Sequence, residues 1–167
     1  LKTGLAGLSL AFLVSFLIGI SWPLDIGRGE ALIASTEILA RTDVGLDGVA
    51  LALVSGAAAV LSLTTGLSST LVGVMVAVAL LPPAATMGML MGAGHMELAF
   101  GAMLLLLVNV VCVIVSAKIV FLAKGVQPRT WYERARARQS VVLHGAIWGL
   151  LLLLLLLIVF ARHRVFV

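Results

Sequence analysis

The chain has 167 residues, of which 62% are hydrophobic and only 11% charged, with mean hydropathy +1.24. Soluble domains are about half apolar and about a quarter charged, so this balance excludes an ordinary water-soluble domain and leaves room for roughly four or five spanning helices. The net charge of +4 and pI near 10.0 would suggest nucleic-acid binding on a soluble protein, but here the cations have a simpler use in membrane topology, and no nucleic-acid partner is expected. Cys112 stands alone inside an apolar run, which excludes a disulfide framework within the chain.

The first hydrophobic segment, about Leu5 to Trp22, is long enough to span and ends in "WPLD", an interfacial Trp followed by a helix stop. A polar connection follows, with Asp25, Arg28, Glu30, Glu37, Arg41, Asp43 and Asp47. Within it, Ala31 to Arg41 suits a short helix that sets Glu37 and Arg41 at i,i+4 spacing for a salt bridge. The second segment, Gly48 to Leu63, is short and rich in Gly, Ala and Ser. Small residues let helices approach closely in lipid, so it should lie buried in protein. The charge-free turn "TTGLSS" leads to the third segment, Thr70 to about Gly92, which carries Pro82 and Pro83. After "GAGHME" comes the fourth, about Leu98 to Ala123, with Asn109 near its centre. The fifth, Val141 to Phe160, contains unbroken leucine from Leu150 to Leu157 and suits a peripheral, lipid-facing helix. The fold class is therefore all-α integral membrane. We divide it into a hydrophobic domain over 1–139 and a C-terminal leucine-rich helix over 140–167. The second and third segments either span or form a buried, re-entrant hairpin, and the loop charges fit both.

Lys124, Arg129, Arg134, Arg136 and Arg138 cluster between the last two segments. Positive-inside bias places this loop, 124–138, in the cytoplasm, consistent with a prokaryotic inner or plasma membrane. Lys118, about one and a half turns from its helix end, is expected to snorkel towards the same loop. The start at Leu1 rather than Met suggests further sequence upstream.

The diproline is the main candidate for function. Pro82 cannot donate to the carbonyl of Val78, nor Pro83 to that of Ala79. In lipid such carbonyls are tolerated when Ser or Thr repairs them, when a kink packs against neighbours, or when a broken helix lines a polar cavity. Thr86 is placed to bond back to Pro82. Discontinuous helices of secondary transporters bind solute or ion in this way. Val78, Ala79, Pro82, Pro83, Thr86 and Asn109 form the expected substrate or ion site. Asn109 alternatively serves as a bond between helices. Glu37, Arg41, Thr42, Thr64 and Ser68 are expected to line a vestibule or cap the hairpin.

Enzyme signals are weak. Ser55 in "LVSGA" lacks the preceding glycine of an intramembrane serine protease. His95 and His144 sit towards opposite faces in this topology. No HExxH, CxxC or phosphate-binding loop is present. We expect neither catalysis nor a metal or cofactor.

"EILART", "ALVSGAAAVLSLTTGLSSTLVGVMVAVALLPPAATMGMLMGAG" and "ELAFGAMLLLLVNVVCVIVSAKIVF" together resemble the membrane domain known as domain of unknown function 389. The family pattern maps to Gly56–Ala59, Gly73–Pro83, and Asn109 with Val110 and Val111. The resemblance covers roughly residues 30 to 125 and is most specific at the diproline. It implies a helical membrane fold without an established activity. It also implies an upstream hydrophobic unit with its own proline break, and thus an internal repeat with a site at the interface. The expected function is a small-solute or ion transporter or channel-like protein using a proline-broken helix. The alternative is a non-transporting scaffold or sensor domain. The expected partners are the lipid bilayer, the upstream part of the same protein and a second copy through small-residue faces.

Overall fold

The computed structural model describes residues 2–21, 31–66, 69–124 and 145–161. They form six helices: α1 Lys2–Ser21, α2 Ala31–Ala40, α3 Leu46–Thr64, α4 Ser69–Gly92, α5 Met96–Ala123 and α6 Gly145–Ala161. There is no strand among the described residues. Four helices are long and apolar enough to cross a membrane, over Thr3–Ser21, Asp47–Thr64, Val72–Gly92 and Met96–Ala123. Both arms of the suspected hairpin are among them. The 19 residues of α3 rise about 28 Å at about 1.5 Å per residue, close to a bilayer core of about 30 Å.

The expected break at the diproline is absent. α4 runs as one helix for 24 residues with Pro82 and Pro83 inside it. Proline's fixed φ suits a helix; its damage is a lost donor, and at Ala79 that loss is made good from the neighbouring helix, as described below.

α5 is the central element. Half of its apolar window is buried (50%), against 11% for α1. α3 and α4 both pack on it, and α3 packs on α4. The core joins Ala52 of α3 with Leu104, Val108, Val111 and Cys112 of α5 and Leu155 of α6. Trp148 and Leu152 of α6 also pack there, giving an i, i+4, i+7 stripe. The other α6 leucines, including Leu150, Leu153, Leu154 and Leu157, are exposed, so the leucine run is peripheral with one seam docked.

Close approach of backbones sets these pairings. A Cβ on Gly56 of α3 would strike Ser116 Oγ and the Val113 carbonyl of α5. α1 leans on α4 through Gly19, which faces the Met89 carbonyl, and through Gly88 and Gly92, which face the carbonyls of Phe12 and Phe16. Gly88 to Gly92 is a G-x-x-x-G spacing, the arrangement that brings membrane helices into contact in lipid. α4 ends in a Schellman turn. The His95 N–H donates to the Leu90 carbonyl at 2.9 Å, the Gly94 N–H to that of Met91 at 3.2 Å, and Gly94 takes the positive φ the turn requires.

Candidate functional site

The two carbonyls freed by proline lie on different sides of α4. A helical carbonyl points along the axis towards the residue four places on, so Val78 shares a strip with Pro82 and Ala79 with Pro83. Val78 is 55% exposed, whereas Ala79 is 3% exposed and Pro83 is buried. The Ala79 carbonyl therefore turns into the protein, where lipid and water give it no partner.

Asn109 supplies that partner. Its Nδ2 donates to the Ala79 carbonyl at 2.9 Å, from 30 residues further along the chain. α5 can do this because α4 and α5 are antiparallel neighbours joined by the tight turn at Gly94. The local rule that proline breaks a membrane helix is thus answered by a side chain from the next helix. Thr86 is buried, but among the described residues its hydroxyl does not make the back-bond to Pro82 expected of it.

The repair leaves a residue of chemistry. Asn109 is 6% exposed, and its Oδ1 is fully enclosed with no hydrogen-bond partner. An unpaired buried acceptor costs about 1–3 kcal/mol, and such groups in native proteins mark a role or an occupant. Two buried hydroxyls of α3 and α5 do have partners. Ser116 Oγ donates to the Val113 carbonyl at 3.2 Å, and Ser62 Oγ approaches Met75 Sδ at 4.0 Å.

A cleft of about 350 Å³ opens between α1, α4 and α5, lined by Leu8, Ser9, Phe12, Leu13, Ala84, Met87 and Leu106. Leu106 lies one turn before Asn109, and Ala84 directly follows Pro83. On α5 the cleft wall thus comes within a turn of Asn109, while on α4 Ala84 lies about 1.4 turns past Ala79.

Of the residues expected to line a vestibule or cap the hairpin, those described bond within or at the ends of their own helices. Arg41 Nη2 pairs with Glu37 Oε1 at 2.6 Å on exposed side chains, the i,i+4 bridge the spacing implied, worth about 0.3–0.5 kcal/mol. Thr42 Oγ1 donates to the Leu39 carbonyl at 2.8 Å and closes α2. Thr64 Oγ1 bonds the Val60 and Leu61 carbonyls, both at 3.0 Å, at the end of α3. Ser68, His144 and the basic loop beyond Lys124 lie outside the described residues. Ser55 is buried, and among the described residues no hydrogen bond joins it to a histidine. Lys118 does not simply reach for the membrane edge: its Nζ stands 5.6 Å from the centroid of the Trp148 ring, a cation–π contact that ties α6 to α5. The sequence reading missed this contact. It also missed the G-x-x-x-G seam on α4, although that spacing was legible in "GMLMG".

No solved structure matches the chain. Among curated proteins it is 33% identical over 148 residues to Uncharacterized protein MJ0678 of Methanocaldococcus jannaschii, covering 89% of this chain. The chain spans 44% of that relative's length. The family model for "Domain of unknown function (DUF389)" matches residues 1–115. This takes in α1, which the motifs alone left outside, and stops short of the end of α5. By that match the chain, a helical membrane protein, belongs to the DUF389 family.

Proposed function

We propose that the protein carries a small solute or ion across the membrane, and that the position it recognises is the seam of α4 and α5 at Asn109. The supporting observation is the enclosed Asn109 Oδ1, left without a partner beside the carbonyl that Pro83 deprives of its helical donor. A polar group kept at this depth in lipid is expensive, and secondary transporters hold coupling ions on backbone oxygens near mid-membrane, freed there by unwinding. Here α4 stays continuous and the free oxygen is that of the Asn109 side chain. The activity proposed is not catalytic. Orientation follows the charge reading, with the loop 124–138 cytoplasmic. A second copy is proposed to pack on glycines with open space beside them, such as Gly73 and Gly149.

Full-length protein in liposomes tests the reading through solute flux. Asn109→Leu is expected to reduce flux at least tenfold while the protein stays folded. Undiminished flux in that variant removes Asn109 from the pathway.

One observation favours the rival reading of a scaffold or sensor domain. The Ala79 carbonyl is already held by Asn109 in buried contact, which is what helix glue alone would give. On that reading the protein shows no flux, and Asn109 substitutions change only stability.

A further inference from the structure

We infer that the occupant of the Asn109 position is a small solute that presents a hydrogen-bond donor or a single positive charge, and that anions are rejected there. This rests on the transport reading and names the class of solute.

The open group is an oxygen. Asn109 turns its Nδ2 towards the Ala79 carbonyl and leaves Oδ1 enclosed and unpartnered. An amide oxygen accepts hydrogen bonds and carries partial negative charge. What completes it must bring an N–H, an O–H or a cation. The surroundings agree. Among the described residues, the buried polar side chains of α3, α4 and α5 are Ser55, Ser62, Thr86, Asn109 and Ser116, and none is charged. An anion entering this seam would lose its hydration with no positive charge to replace it, which is prohibitive at low dielectric. The nearest described cation on α5, Lys118, is about two and a half turns further on and engaged by the Trp148 ring. A divalent cation is disfavoured for a related reason, since no carboxylate is buried there to balance it. The approach suits a compact solute. The cleft of about 350 Å³ between α1, α4 and α5 is mainly apolar, and Leu106 in its wall lies less than a turn before Asn109 on α5.

The test is selectivity in liposomes holding the full-length protein. Ammonium and methylammonium are followed with an internal pH dye, potassium with a voltage dye, and glycerol by light scattering. Chloride and nitrate are the anion arms. The expected result is flux of ammonium, potassium or glycerol at least tenfold faster than either anion. The arm that responds separates a charged from a neutral donor. Asn109→Leu should abolish the favoured flux, and Asn109→Gln, which keeps an amide oxygen, should retain part of it, with circular dichroism and gel filtration certifying both variants as folded. Anion flux equal to that of the favoured probe overturns this inference and leaves the transport reading standing. Favoured flux unchanged in folded Asn109→Leu also overturns it. Absence of flux for every probe overturns the transport reading itself, and this inference with it.

Discussion

Pro83 and Asn109 should be energetically coupled, with a sign that follows from counting partners for one carbonyl. In the native protein the Ala79 carbonyl has no helical donor, because residue 83 is proline, and is served by Asn109 Nδ2 at 2.9 Å. Replacing Asn109 by Leu, which has the same number and branching of side-chain heavy atoms, strips that bond and orphans a carbonyl that is buried with Ala79 at 3% exposure. The same substitution also removes the unpartnered Oδ1. In a Pro83→Ala background the main-chain N–H of residue 83 serves the carbonyl, so the Asn109→Leu step removes the amide without orphaning that carbonyl. The Oδ1 contribution is common to both steps and cancels. So does the packing lost with the buried proline ring. What survives is the Asn109–Ala79 bond together with the orphaned carbonyl. Unsatisfied buried groups cost about 1–3 kcal/mol, and hydrogen bonds between membrane helices average about 0.6 and reach about 1.7 kcal/mol. We expect a coupling of roughly 1–2 kcal/mol, with the double variant more stable than the sum of the single changes. Reversible SDS unfolding of the full-length protein in mixed micelles, followed by circular dichroism, measures all four corners of the cycle. A coupling under about 0.3 kcal/mol, the limit at which independent sites add, refutes the repair.

Other consequences concern packing. Gly88→Ala should loosen α1 from α4 and cost about 1–3 kcal/mol, because its Cβ would sit 2.6 Å from the Phe12 carbonyl. Gly7→Ala, with nothing within 4 Å, should be neutral or stabilise by up to about 1 kcal/mol through helix propensity; thermal unfolding of the pair distinguishes these. Cys112 is completely buried, so a maleimide should label it only after denaturation, and rapid labelling of the native protein would contradict the α3–α5–α6 core. Lys118→Met should weaken docking of α6 by about 0.5–2 kcal/mol and shift the emission of Trp148, measured in a variant with Trp22 and Trp131 replaced by Phe.

Hydropathy made the helices legible because a bilayer asks the same thing of every spanning segment, about 20 apolar residues. The expected limits of the first segment, Leu5 to Trp22, differ from α1 by a few residues at most. α3 came out longer than the segment Gly48 to Leu63, because Leu46 and Asp47 join its first turn, where an acidic side chain suits the helix dipole. What was not legible depended on partners remote in sequence. The rule applied to Pro82 and Pro83 is local, and it predicts a break; the answer to it comes from a different helix. Lys118 read alone predicts snorkelling, and only α6 beside it turns that into a contact with Trp148. Small residues announced close approach correctly, but their spacing did not say whether the approach was internal. Gly19, Gly56, Gly88 and Gly92 are occupied within the chain, while Gly73 and Gly149 are open.

The choice of an amide at position 109 carries the remaining argument. Elsewhere this chain quiets carbonyls with hydroxyls: Thr42, Thr64 and Ser116 each donate to a carbonyl of their own helix. A hydroxyl does so with little polar surplus. At the diproline the carbonyl belongs to another helix, and reaching it takes a longer side chain, which brings a second polar atom into the core. Reach explains Nδ2 and leaves Oδ1 unexplained. The two atoms separate experimentally, since the Pro83 cycle reports on Nδ2 and flux selectivity reports on Oδ1. A large coupling with unselective flux would make Asn109 glue for a proline-bearing helix and nothing more. A large coupling together with rejection of anions would mean that one amide both mends α4 and recognises what crosses beside it.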